Sequence, residues 1–129
     1  MFFAIDPTNG LAIYEQIVRQ VKFAVAGGAL RGGDRVPSVR DLARELAINP
    51  NTVARAYRQL QADGVLASVR GTGLEVSMGA GDPCRAERVE LVGARLRKVL
   101  VEAKQSGLST QQLRTLVQSE LTAIERNGE

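Results

Sequence analysis

The 129-residue sequence contains no histidine and no tryptophan, and Cys84 is its one cysteine. A disulfide within the chain is therefore excluded, and a zinc site made of cysteine and histidine has no residues to form it. We predict no metal and no cofactor. Cys84 is interpreted as an incidental thiol near a linker, with a redox sensor as the less favoured alternative.

The sequence also lacks an apolar run long enough to span a membrane. The apolar start, Met1 to Ala4, is too short for the core of a signal peptide, and Asp6 interrupts it. No glycine motif that would cradle phosphates and no cluster of catalytic side chains is present. We therefore expect a cytoplasmic protein without membrane contact that is not an enzyme.

Aromatic residues make up only 4% of the chain, whereas 44% of its residues are hydrophobic. A core must then be built mainly from leucine, valine, isoleucine and alanine, which suits packed helices. The formal net charge of +3 is mildly basic and permits a nucleic-acid partner without requiring one.

Residues 34–60 contain the most informative pattern, two short predicted helices joined by a tight turn. Ser38 is a candidate N-cap of the first helix, and Asp41 can return the bond as in a capping box. Asn49 followed by Pro50 begins the second helix, because asparagine favours the N-cap and proline needs no amide donor in the first turn. The inward positions are Val53, Tyr57 and Leu60, which leaves Asn51, Thr52, Arg55, Arg58 and Gln59 largely outward.

Positive charge is concentrated in this pair of helices. Residues 35–58 carry five arginines and two acidic residues, a balance equal to the formal net charge of the whole chain, +3. Such a surface is typical of proteins that bind a polyanion. Amide and hydroxyl groups in the first turn, with arginines behind them, can contact base edges and phosphates. The alternative interpretation is a helical hairpin with a solvated face.

The flanking segments complete a winged helix-turn-helix, predicted at residues 11–78. A first helix at 11–26 has an apolar stripe, with Gln16 and Lys22 among the polar residues mostly off it. A short strand is predicted at Ser68–Val69, then a hairpin turn at 70–73 and a returning strand at 74–76 with Glu75 facing outward. The predicted class is mainly α with a small β-hairpin; an ordinary glycine hairpin is the alternative for the wing.

A linker is predicted at residues 79–83, followed at 84–127 by two amphipathic helices. Ser109 and Gln112 form a capping box for the second of these helices. A two-helix hairpin cannot bury both apolar stripes alone, so they need the first domain or a second copy of the chain. We favour the second copy, and the predicted dimerisation residues are Val89, Val92, Leu96, Val99, Leu100, Leu113, Leu116, Val117, Leu121 and Ile124.

Three segments, Ala12–Ile17, Gly33–Ala43 and Asn49–Tyr57, are followed in order by Leu60, Gly64 and the turn Arg70–Gly73. In their order and spacing, these segments resemble the GntR-type bacterial transcription regulators. The Asn-Pro-Asn-Thr run and the short two-helix tail are similar to those of the YtrA-type subfamily.

This resemblance implies a winged-helix dimer on a palindromic operator, with the glycine turn in the minor groove. It implies that Arg35 and Arg40 meet phosphate or base, and that the leading end of the recognition helix lies against the DNA. From side-chain chemistry we assign base contacts to Asn51 and Arg55, and phosphate contacts to Arg40, Thr52, Arg58 and Arg70. The candidate DNA-binding residues are Arg35, Ser38, Arg40, Asn49, Asn51, Thr52, Arg55, Arg58, Arg70 and Gly71.

The predicted function is a homodimeric, sequence-specific DNA-binding regulator, with a repressor favoured. The alternative is a winged-helix module for protein–protein contact without DNA binding. The wing departs from the family pattern at Thr72, where a basic residue is usual, and at Leu74 and Glu75. The tail is too short for a ligand pocket of its own, so a small-molecule effector would bind at the dimer seam or between tail and winged helix.

Overall fold

The computed structural model describes residues 4–128. Within that range the predicted architecture, mainly helical with one small hairpin, is confirmed. The chain divides into two compact units after Val89. The elements in chain order are α1 (Ile13–Ala26), α2 (Val39–Leu46), α3 (Pro50–Ala62), β1 (Leu66–Ser68), β2 (Leu74–Val76), α4 (Gly81–Gln105) and α5 (Thr110–Asn127).

The core of the first unit is aliphatic, as the composition indicates. Helix α3 packs against both α1 and α2. The large side chains with less than 2% of their surface exposed come from these helices, the hairpin and the start of α4. They are Ile17, Val21, Leu42, Val53, Leu60, Val76 and Cys84.

Two polar side chains of α1 that were predicted off its apolar stripe are buried, Gln16 and Lys22. The Gln16 amide accepts a hydrogen bond from the backbone N–H of Asp6 at 2.9 Å and donates to the carbonyl oxygens of Asp6 and Leu11. Lys22 Nζ donates to Asp63 at 2.8 Å and to Glu87 at 2.7 Å. Burial of these polar groups is tolerated because they have hydrogen-bond partners. Helical periodicity alone does not reveal those partners.

Both predicted helix starts in the helix-turn-helix are confirmed. Ser38 Oγ accepts the Asp41 amide at 3.0 Å, and Asn49 Oδ1 accepts the Asn51 amide at 2.8 Å. Between the helices Ala47 has φ 54°, in the left-handed region. That conformation is unusual for alanine, so residue type gave no signal for it.

The wing hairpin begins two residues earlier than predicted, since β1 is Leu66–Ser68. Leu66 pairs with Val76, and the Val69 amide closes the turn by donating to the Gly73 carbonyl at 2.9 Å. Gly71 and Gly73 have φ of 77° and 83°, values that favour glycine.

A second segment, residues 34–36, pairs with the other edge of β2. The Val36 amide donates to the Leu74 carbonyl at 3.2 Å, and the Val76 amide donates to the Asp34 carbonyl at 2.8 Å. Glu75, predicted to face outward, is half-buried, because β2 has a neighbour on each side. The hairpin is thereby anchored to the chain that enters α2.

The predicted linker at 79–83 is shorter in the structure, because α4 begins at Gly81. Proline fits the first turn of a helix, and Asp82 favours the positive end of the helix dipole. Cys84 is a core residue with 1% exposure rather than a thiol beside a linker. The division of the chain after Val89 also differs from the predicted limits of 11–78 and 84–127.

In the second unit, the predicted capping box of α5 is confirmed. The Gln112 amide donates to Ser109 Oγ at 3.1 Å, and the Ser109 amide donates to Gln112 Oε1 at 2.8 Å. No helix within residues 4–128 is both long and apolar enough to cross a membrane.

Candidate nucleic-acid interface

The outer face of α3 carries the amide and guanidinium groups that the sequence predicts for DNA recognition. Asn51, Arg55 and Arg58 are exposed, and Thr52 is half-buried. The opposite face of the same helix is buried and consists of Val53, Ala56, Tyr57 and Leu60. The hydrophobic face therefore fixes which side chains α3 presents to a partner.

Tyr57 joins α3 to the entrance of α2. Its hydroxyl donates to the Pro37 carbonyl oxygen at 2.7 Å. Burial, and secondarily the charge of Glu45, raises the pKa of Tyr57, so the hydroxyl stays protonated and remains a donor. The bond fixes the start of α2 relative to α3.

The start of α2 adds two candidate phosphate ligands beside this face. Arg40 is exposed in the first turn of α2. Ser38 is exposed, and its oxygen accepts the Asp41 amide. A hydroxyl has one donor besides its acceptor sites, so the hydrogen of Ser38 remains available to a phosphate oxygen. In Asn49, the N-cap of α3, the side-chain oxygen accepts the Asn51 amide, so the NH₂ group likewise remains available to donate to a phosphate oxygen.

Arg35 lies at the wing turn, because the segment that contains it pairs with β2. Arg35 Nη1 donates to the Thr72 carbonyl oxygen at 2.7 Å and to Thr72 Oγ1 at 3.0 Å. Arg70 and Gly71 are exposed at the same turn. The structure thus brings three of the candidate DNA-binding residues together at the wing, a grouping that sequence spacing did not indicate for Arg35.

Arg55 makes a contact that the sequence analysis missed. Its Cζ atom lies 3.7 Å from the centroid of the Tyr14 ring, a cation–π arrangement. Tyr14 is half-buried on α1, and its hydroxyl donates to Glu15 at 3.2 Å. The two residues are far apart in the sequence, so only the packing of α1 on α3 reveals the pair.

The candidate arginines of this surface are not paired with carboxylates. Within residues 4–128 they form no ion pair, whereas Lys22 pairs with Asp63 and Glu87, and Arg85 pairs with Asp82. The arginines of α2, α3 and the wing therefore remain available to a polyanion.

Comparison with known proteins identifies the family. Residues 13–76 match the model of bacterial regulatory proteins of the gntR family. The chain is 32% identical over 124 residues to the HTH-type transcriptional repressor YtrA of Bacillus subtilis (strain 168), covering 96% of this chain and 95% of that protein. This chain belongs to the GntR family.

Two solved structures extend the likeness beyond the helix-turn-helix. A transcriptional regulator from Oenococcus oeni is 32% identical, with a TM-score of 0.66 over 93% of this chain and 99% of that one. YtrA from Sulfolobus acidocaldarius, a GntR-family transcription factor, is 27% identical, with a TM-score of 0.57 over 83% of this chain and 100% of that one. The predicted resemblance to YtrA-type GntR regulators is confirmed.

The predicted dimerisation residues of this GntR-family regulator are apolar side chains of α4 and α5, and most of them are exposed. Eight of the ten are between 38 and 70% exposed. Leu100 is half-buried, and Leu113 is buried. The exposed eight are Val89, Val92, Leu96, Val99, Leu116, Val117, Leu121 and Ile124, and Val101, which the sequence analysis omitted, is also exposed.

Proposed function

We propose that this GntR-family regulator is a cytoplasmic repressor that binds a palindromic operator as a homodimer. The outer face of α3 carries the proposal, because Asn51, Arg55 and Arg58 are exposed there and the two arginines form no ion pair with a carboxylate. The YtrA relative in Bacillus subtilis is named as a repressor, which supports the same direction of control.

Within this proposal, Asn51 and Arg55 contact base edges in the major groove. An asparagine amide can pair bidentately with adenine, and a guanidinium can pair with the O6 and N7 atoms of guanine. Arg40, Thr52, Arg58 and Arg70 contact phosphates.

The homodimer is supported by the apolar face on α4 and α5. Large apolar side chains exposed in this number on two helices are typical of an interaction site. A two-fold dimer would pair two recognition helices with half-sites about one helical turn apart. Arg35, together with Arg70 and Gly71, would contact the backbone or minor groove through the wing.

The test compares two arginines on the same face, Arg55→Ala and Arg58→Ala. The probe is a duplex selected from a randomised library by the unaltered protein, and the control is a scrambled duplex of equal length. Loss of a guanine contact at Arg55 should cost about 1–3 kcal/mol on the selected duplex and relax the preference at one base pair.

Loss of a phosphate contact at Arg58 should instead weaken binding to both duplexes, and should reduce the slope of affinity against salt by about 0.9. Titrations at several salt concentrations separate the two effects. If no duplex is enriched and no salt-dependent affinity is measured, the proposal is wrong and a protein-binding module is favoured.

A further inference from the structure

We infer that Tyr14 is a positioning residue for DNA recognition, because its ring holds the Arg55 guanidinium in the orientation that contacts the base. The inference rests on the proposed function, in which Arg55 is a base-contacting residue. It adds a residue of α1 to a recognition surface otherwise formed by the helix-turn-helix and the wing.

The contact is close enough to restrain the guanidinium. Arg55 Cζ lies 3.7 Å from the Tyr14 centroid, which is van der Waals contact and well within the range of a cation–π interaction. The ring is itself restrained, since Tyr14 is half-buried and its hydroxyl donates to Glu15. Its neighbour Ile17, one turn along α1, has no exposed surface.

The contact with the ring leaves the hydrogen-bonding capacity of Arg55 intact. The five N–H donors of a guanidinium lie in its plane, so contact through the face uses none of them. The plane can still present two parallel donors to guanine. An arginine already held in place loses less side-chain freedom on binding than a mobile one, which favours affinity.

Arg58 provides a matched comparison within the same helix. It is exposed on the same face and carries the same charge, but the Tyr14 ring contacts Arg55. If the ring acts by positioning Arg55, the loss of DNA affinity on removing the ring must require Arg55 and must not require Arg58. If the ring serves only to pack α1, its removal must have the same effect in both backgrounds.

The experiment measures binding of the full chain to the library-selected duplex and to the scrambled duplex. Tyr14→Leu removes the ring, and Tyr14→Phe retains it without the hydroxyl. We expect Tyr14→Phe to bind as the unaltered protein does, and Tyr14→Leu to bind the selected duplex about two- to fivefold more weakly, the range set by an exposed cation–π contact. In the Arg58→Ala background the loss should persist, and in the Arg55→Ala background it should vanish.

Equal losses in the Arg55→Ala and Arg58→Ala backgrounds would overturn the inference. A loss as large on the scrambled duplex, or in Tyr14→Phe, would overturn it as well. The side-chain proton resonances of Arg55 in the unbound, unaltered protein give a readout that needs no variant to fold. An upfield ring-current shift is expected, and its absence contradicts the stacked arrangement.

The outcomes separate this inference from the proposed function. If the unaltered protein selects a duplex but Tyr14→Leu binds it equally well, the inference fails and the proposed function stands. If Arg55→Ala also binds the selected duplex as well as the unaltered protein does, Arg55 is not a base-contacting residue and the inference fails for that reason. If no duplex is selected at all, both fail.

Discussion

Lys22 is a buried charged residue whose ion pairs join three segments of the first unit. Its side chain is 5% exposed, and its two carboxylate partners come from different parts of the chain, Asp63 after α3 and Glu87 on α4. Burial opposes the charged form, but the hydrogen bonds and charges of Asp63 and Glu87 outweigh it and raise the pKa of Lys22. The stability that this shift contributes is therefore present at neutral pH and is lost only as the pH rises through the raised pKa.

We expect the two carboxylates to act non-additively on the free energy of unfolding. Asp63→Ala or Glu87→Ala alone leaves Lys22 one partner, whereas the double variant leaves a buried cation unpaired. The double variant should lose roughly 3–5 kcal/mol, more than the sum of the single losses. Adding Lys22→Met to the double variant should recover stability, because no charge then remains buried.

Chemical unfolding of the full chain measures these free energies. Glu90→Ala, which removes an exposed carboxylate from the same helix, is the matched control and should change little. Strictly additive losses for Asp63→Ala and Glu87→Ala, with no recovery by Lys22→Met, would show that Lys22 does not need these partners.

At the scale of elements, the wing is supported from both edges of β2. An isolated two-stranded ribbon is marginally stable in water. Here residues 34–36 pair with the second edge of β2, and the Arg35 guanidinium donates hydrogen bonds to Thr72 in the turn. This arrangement couples the wing to the start of α2, which carries Ser38 and Arg40.

Removing the Arg35 side chain should therefore loosen the wing turn. Arg35→Ala is expected to speed hydrogen exchange of the backbone amides at residues 71–73, because the turn loses its bonds to the guanidinium. Arg70→Ala removes an equal charge at the wing turn but leaves the Arg35–Thr72 bonds intact. If hydrogen exchange at residues 71–73 rises equally in both variants, the cause is the loss of positive charge and not the loss of the Arg35–Thr72 hydrogen bonds.

At the scale of the whole molecule, the second unit presents more apolar surface than its own two helices cover. Leu113 is its one buried residue among those that the structure describes. Apolar side chains on both helices remain exposed, including Leu96 and Leu121. In the proposed homodimer, a second copy of this unit covers them.

Leu121→Glu should convert the proposed homodimer into a folded monomer. Leu121 is 48% exposed within one chain, so a charge there costs little in the monomer but is unfavourable in a buried seam. Operator affinity should fall by about 10²–10⁴, since the second half-site is no longer tethered. Sedimentation measures the assembly state, and DNA titration measures the affinity.

Gln118→Glu is the matched control for this prediction. It adds the same charge at an exposed polar position of α5 and should leave both the dimer and its DNA affinity unchanged. An unaltered protein that sediments as a monomer, or a Leu121→Glu variant that remains a dimer, would contradict the role assigned to the apolar face.

The sequence by itself determined the features that depend on neighbouring residues. Ser38, Asn49 and Ser109 were predicted as helix caps because a cap bonds an amide two or three positions away. The inward face of α3 followed from helical periodicity, and the glycine turn of the wing followed from residue type. The family followed from the order and spacing of these local segments.

Only the tertiary structure decided the contacts between distant segments. Periodicity classed Lys22 as a surface residue, because its partners Asp63 and Glu87 are remote in the chain. The Tyr14–Arg55 and Arg35–Thr72 contacts likewise arise from packing between elements. Local hydrogen bonds and periodicity are fixed by short-range chain geometry, whereas the environment of a polar side chain is fixed by whatever the completed fold brings against it.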